Sequence, residues 1–286
     1  YATIKYYPDG DTAWVRRYNG PGNSSDGAYA IAVDGSGNVY VTGYSWGSGT
    51  NEDYATIKYD PDGNELWEKR YNGPGNYSDF AYAIAVDGSG NVYVTGGSRD
   101  SVTYEDYATI KYYPSGDTAW VRRFDDGGSD EAYALAVDVS GNIYVTGISS
   151  ASGILYDYAT MKYDPDGNQL WVQRYNGPKN GYDWAHAIVV DGSGNVYVTG
   201  ESEGSGTDEY DYATLKYVQF LRGDVNGDSS VSVSDVVYLI NYLFKGGSAP
   251  LPAPIVGEAN CDGKVSVSDV VYLINYLFKG GPPPNC

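Results

Sequence analysis

The chain has 286 residues, with 37 acidic against 18 basic side chains, a formal charge of −19 and 32 tyrosines. So anionic a surface argues against nucleic acid as a partner, and no apolar run reaches the length that a membrane-spanning helix needs. A single histidine and two cysteines, both near the C-terminal end, leave too little for a Cys/His zinc site or a Cys-His nucleophile in the body of the chain.

From the N-terminus to about residue 220 the sequence is a tandem repeat. Tyr1-Ala-Thr-Ile-Lys-Tyr returns, with small changes, at Tyr54, Tyr107, Tyr158 and Tyr212, at spacings of 53, 53, 51 and 54 residues. A period near fifty points to a solenoid or a propeller. One unit reads as four short strands at about 54–60, 65–71, 81–87 and 91–98, separated by Pro61-Asp62-Gly63-Asn64, a Gly-Pro-Gly-Asn loop at 73–76, and Gly88-Ser89-Gly90. Four antiparallel strands per repeat make the blade of a β-propeller. The segment Ala-Tyr-Ala-Ile-Ala-Val-Asp-Gly-Ser-Gly-Asn-Val-Tyr-Val-Thr-Gly at 28–43, recurring at 81–96, 132–147 and 185–200, resembles the bacterial β-propeller repeat family called SBBP. That resemblance implies a mainly β fold, a propeller-like array of about four four-stranded antiparallel blades. A closed four-bladed ring, a fragment of a larger ring and an open array all fit the repeat count.

Strand counting adds an expectation. Three complete blades fall at about 28–71, 81–123 and 132–175, and strands near 185–191 and 195–201 begin a fourth. Tyr1–Tyr7 and Tyr212–Tyr217 are copies of one strand and compete for one place, while Thr12–Tyr18 is the candidate for the outermost position. One copy is surplus in a closed ring of four. An unpaired edge is a template for another chain, so strand exchange into a filament is expected.

Within the repeats little stands out as chemistry. His186 occupies the place of Tyr29, Tyr82 and Tyr133, which marks a variant packing position. Trp14, Trp67, Trp120 and Trp171 recur at one place as core or interblade residues, whereas Trp46 and Trp184 break the pattern and either pack or stack on sugar rings. Segments such as Asp60-Pro61-Asp62-Gly63-Asn64 mimic the start of a calcium loop, but hairpin geometry accounts for them more simply. Asn23 and Asn76 lie in sequons and are candidate glycosylation sites.

The C-terminal segment, 221–286, is of another kind. Gly-Asp-Val-Asn-Gly-Asp-Ser-Ser at 223–230 and Gly-Glu-Ala-Asn-Cys-Asp-Gly-Lys at 257–264 are each followed by the same Val-Ser-Val-Ser-Asp-Val-Val-Tyr-Leu-Ile-Asn-Tyr-Leu-Phe-Lys-Gly-Gly. Carboxylates and amides at loop positions one, three, five and twelve, entering an amphipathic helix, are what a hard cation such as calcium needs. The first set is Asp224, Asn226, Asp228, the carbonyl of Ser230, Ser232 and Asp235; the second is Glu258, Asn260, Asp262, Lys264 through its carbonyl, Ser266 and Asp269. The same Asp and Asn residues also suit a helix cap that binds nothing. Val236, Val237, Leu239, Ile240, Leu243 and Phe244, with their copies 34 residues later, form stripes expected to pack on each other.

Only one helix follows each loop, so the pattern resembles the type I dockerin module, whose duplicated loop-helix units bind calcium and dock on a cohesin domain. The resemblance covers about 223–286. It implies two calcium ions, the first site the surer, and a partner surface at loop positions ten and eleven, here Val233-Ser234 and Val267-Ser268. The partner is then a cohesin-like domain or another copy of this chain. Cys261 and Cys286 are read as a disulfide. Closing a loop of about 25 residues would remove roughly 3.5 kcal/mol of unfolded-chain entropy, and an extracellular type of module suits an oxidising compartment.

Two functions compete. One is a non-enzymatic extracellular structural or adhesive protein, assembled through its calcium module and its repeat strands. The other is a secreted carbohydrate-active or carbohydrate-binding propeller carried to a cohesin scaffold by its tail, with glycans as ligands. Regular repeats without a singular polar cluster favour the first.

Overall fold

A computed structural model describes residues 1–100, 105–150, 155–204, 209–218, 223–226, 230–250, 254–257 and 259–284. The backbone divides into two compact units, Tyr1–Tyr217 and Val218–Cys286.

In the first unit every strand pair is antiparallel. Strands β1 (Ala2–Tyr6) and β2 (Thr12–Arg17) form a two-stranded sheet. Three four-stranded sheets follow, each in sequence order. They are β3 (Asp26–Val33), β4 (Val39–Trp46), β5 (Glu52–Tyr59) and β6 (Glu65–Tyr71); then β7 (Asp79–Val86), β8 (Val92–Arg99), β9 (Glu105–Tyr112) and β10 (Thr118–Phe124); then β11 (Asp130–Val137), β12 (Ile143–Ser149), β13 (Asp157–Tyr163) and β14 (Gln169–Tyr175). A three-stranded sheet of β15 (Asp183–Val190), β16 (Val196–Glu203) and β17 (Tyr210–Tyr217) closes the unit. The mainly β architecture of four-stranded blades is thus present.

Turn chemistry sets each blade. The Asp34 carboxylate accepts the Ser36 and Asn38 N–H groups on Oδ1 at 2.9 Å, and the Asn38 amide and Tyr40 hydroxyl on Oδ2. Asp87, Asp138 and Asp191 repeat the arrangement. At Asp60 the Asn64 side-chain amide, then backbone N–H groups, hold the carboxyl below the usual carboxylate range. These oxygens are engaged by the hairpins themselves. In each innermost strand a bulge, as between Ala28 and Ala30, lets the neighbouring strand approach closely. A Cβ on Gly43 would lie 1.9 Å from the Gly27 carbonyl oxygen, so only glycine fits.

Packing between sheets is as periodic as the sequence. Trp14, Trp67 and Trp120 donate their indole N–H to the carbonyls of Pro61, Pro114 and Pro165, each on the following sheet. Lys5, Lys58 and Lys111 donate to the same three carbonyls. The recurrent tryptophan is therefore an interblade residue.

Strand counting comes out differently from the expected competition. β17 takes the third place of the last sheet, and Thr12–Tyr18 pairs with β1 rather than with that sheet. The hairpin β1–β2 packs Trp14 against Tyr59 and makes the interblade contacts just given, as the outer half of a blade would. After Tyr217 the sequence lacks the Pro-containing turn that follows Tyr59, Tyr112 and Tyr163, and among the described residues no fourth strand pairs with β17.

The second unit holds helices α1 (Val233–Lys245) and α2 (Val267–Lys279) and a short 3-10 turn at Pro254–Gly257. Ser232 and Ser266 cap the helices, and Asp235 and Asp269 reach back to the cap backbone as capping boxes. Gly246 and Gly280, both at φ 69°, end them in left-handed turns. The core is Val225, Val236, Leu239, Ala259, Val270 and Leu273. The expected stripes only partly pack on each other. Val236 and Leu239 are buried, but Val237 is 52% exposed and Phe244 63%, and their copies match. Each helix is apolar on two faces and its twin covers one.

Candidate calcium loops and docking helices

Asp235 is the hub of the first loop. Fully buried, it accepts the Val225 N–H at 2.7 Å and the Asn226 N–H at 3.1 Å on Oδ1, and the Ser232 N–H at 2.8 Å on Oδ2. Asp269 does the same for Ala259, Asn260 and Ser266. Loop positions two and three are thereby drawn to position twelve, which is the convergence that a cation loop requires. The same carboxylates also serve the helix caps, the other role expected of these aspartates.

Around the hubs the other residues take different places. Asp224 is buried, and the Asn226 amide donates to the Ser234 hydroxyl at 3.0 Å. Asn260 accepts the Asp262 N–H, and Asp262 accepts the Lys264 N–H and the Ser268 hydroxyl. The Asn260 amide, then the Ser268 hydroxyl, hold the Asp262 carboxyl below its ordinary range. Ser230 is exposed. Asp228, Glu258 and Cys286 lie outside the described residues, and with Cys286 the expected Cys261–Cys286 bond does too. Cys261 sits at φ 66°, a left-handed angle, where the first copy has Gly227. The donors that are described are hard oxygens, which fits a cation such as calcium.

At the expected partner positions all four residues are exposed, Val233 and Val267 by about half, and the Ser234 and Ser268 hydroxyls bond to those of Ser232 and Ser266. Val237 and Phe244 continue from Val233 along one face of α1, and Val271 and Phe278 from Val267 along α2. Helical spacing alone did not single these out, because apolar residues on two faces leave open which face the twin covers. Asn23 and Asn76 are exposed, at φ 48° and 54°. Among the described residues no helix is long and apolar enough to cross a membrane.

The Dockerin type I domain model matches residues 222–278, and the SBBP β-propeller repeat model matches 13–49, 70–98 and 170–206. An uncharacterized WD repeat-containing protein of Acanthamoeba polyphaga mimivirus is 28% identical over 163 residues, covering 51% of this chain and 11% of that protein. The regulatory protein FlaEY of Caulobacter vibrioides is 30% identical over 168 residues, covering 49% and 17%. This chain therefore spans less than a fifth of either curated relative. Among solved structures, a gluconolactonase of Xanthomonas campestris aligns at 16% identity with a TM-score of 0.38, over 69% of this chain and 61% of that one. The chain carries SBBP-type β-propeller repeats followed by a type I dockerin domain.

Proposed function

We propose that this is a non-enzymatic extracellular assembly protein, a propeller-repeat body that its calcium-loaded dockerin couples to a cohesin-like domain. One observation carries the reading: α1 and α2 present the same exposed apolar face, Val233, Val237 and Phe244 on one and Val267, Val271 and Phe278 on the other. Exposed aromatic and aliphatic side chains in a row are what an interface core is made of. Since the faces are copies, either helix can meet the partner. Calcium at both loops, the first through Asp224, Asn226, Asp228 and Asp235, would hold the helices in place. A Cys261–Cys286 disulfide and glycans on Asn23 and Asn76 would suit a secreted protein. Assembly into a filament through the ends of the repeat array belongs to the same proposal, supported by the incomplete last sheet.

The test is binding of the full chain to immobilised type I cohesins by calorimetry. Phe244→Ala with Val237→Asp, or Phe278→Ala with Val271→Asp, should each leave binding nearly intact. All four changes together should abolish it, and chelator should do the same. Unchanged affinity in the four-site variant would reject the surface.

Carbohydrate binding remains as a second reading because Tyr29, Tyr82, Tyr133 and His186 form a row of rings on successive innermost strands, with neighbouring centroids 5.4, 5.5 and 6.1 Å apart. Sugar faces stack on such rings. A glycan array probed with the wild-type chain and with Tyr82→Ala separates the two readings.

A further inference from the structure

We propose that Asp106, Asp125 and Asp130 form a binding site for one hard divalent cation, calcium above all, at the junction between the second and third four-stranded sheets. Asp106 lies near the start of β9, Asp125 in the loop after β10, and Asp130 opens β11. One carboxylate oxygen from each lies within 4.8 Å of the others. The inference is independent of the dockerin loops.

The cluster alone would carry no such claim, since acidic groups gather on many surfaces. What points to a ligand is the state of the two buried members. Asp106 is 3% exposed and Asp130 not at all. The Oδ2 of Asp106 accepts from Arg123, and the Oδ2 of Asp130 accepts the Asp126 N–H at 2.9 Å. Their Oδ1 atoms are both covered and have no hydrogen-bond partner. A buried carboxylate oxygen without a partner is costly, and a cation is one of the few things that removes the cost.

The site is also singular within the repeat. The junction before it has the same buried pair, Asp53 and Asp79, again with covered Oδ1 atoms that lack a partner, but Asn72 stands where Asp125 does. That amide is tied to Asn76 at 2.6 Å. Asn19 and Asn176 hold the place in the other repeats, and the stretch from Arg123 to Asp130 is two residues shorter than that from Arg70 to Asp79. One repeat alone has exchanged its amide for a third carboxylate and drawn the loop in. A hard cation takes such oxygens and completes its shell with water.

The test uses the full chain and calcium alone as the probe. Asp125→Asn restores the residue of the other repeats at an exposed position, so it should fold. Native mass spectrometry and calorimetry should find one calcium ion fewer per chain in Asp125→Asn than in wild type. Asp235→Ala should remove a different ion, and the double variant should lose both. Equal stoichiometry in wild type and Asp125→Asn overturns the proposal whatever the dockerin loops do. In chelator, Asp125→Asn should melt at or above wild type, because one repelling charge is gone; in calcium the wild-type transition of the repeat unit should rise and the variant's should not. A wild-type midpoint indifferent to calcium, or the same calcium response in both proteins, also overturns it.

Discussion

The hydroxyl of Tyr54 donates to the carbonyl oxygen of Ala108 at 3.1 Å, from one blade to the third strand of the next. Tyr107 repeats the bond to Ala159 at 3.0 Å and Tyr158 to Ala213 at 3.4 Å. All three rings are buried, but Tyr212, at the same place in the last repeat, is 87% exposed. The bond is therefore made three times; Tyr1, the copy in the first repeat, has a covered hydroxyl without a partner, and Tyr212 is left open at the face of the three-stranded sheet.

That contrast gives a prediction by substitution. Tyr107→Phe should cost about 1–2 kcal/mol in urea unfolding, because the Ala159 carbonyl loses a donor in a buried interface. Tyr212→Phe should change stability by less than about 0.5 kcal/mol. If both cost the same, and the Tyr212 cost grows with protein concentration, the open face is covered by another copy.

Much of this organisation was legible in the sequence because the repeats state it several times. Hairpin turns at Asp34, Asp87, Asp138 and Asp191 are local devices, written in residues a few positions apart, and the blades follow from them. The partners of the recurrent tryptophan are less local: nothing near Trp120 announces the Pro165 carbonyl 45 residues on. The exposure of Val237 and Phe244 was hidden for a different reason, since an apolar helix with two possible contact faces does not say which one is covered. Asp125 was visible as a departure from Asn19, Asn72 and Asn176. Its nearness to Asp106 and Asp130 was not, because they lie on other strands and meet only when two sheets pack.

Helix capping supplies a second prediction. Ser232 accepts the Ser234 N–H, and Asp235 returns a bond from the cap backbone. Ser232→Ala should destabilise the dockerin unit by about 1 kcal/mol in chelator, where the cap alone is lost. Asp235→Asn keeps an acceptor for Val225 but loses the charge, so its loss should be much larger in calcium than in chelator. Circular dichroism melts of both variants in the two conditions would show this. Equal losses for Asp235→Asn in calcium and in chelator would make the residue a cap alone.

The last prediction concerns pH and Asp79. This carboxyl is fully buried at the start of β7 and accepts the Gly73 N–H at 2.6 Å. Burial outweighs that bond and raises its pKa to about 6. In the unfolded chain it titrates near an ordinary value of about 3.9. The native state holds the proton more tightly, so the resulting stability is present in full below about pH 4 and is lost as pH rises through about 6. The whole effect is on the order of 3 kcal/mol at most for this shift. Asp79→Asn keeps an oxygen for Gly73 and cannot ionise, so its urea stability should decline less than wild type between pH 4 and pH 7. The measurement belongs in chelator, so that bound cations do not contribute, and the wild-type minus variant difference cancels the titration of other groups. A difference that does not change with pH would mean that Asp79 enters the folded protein with an unshifted proton affinity.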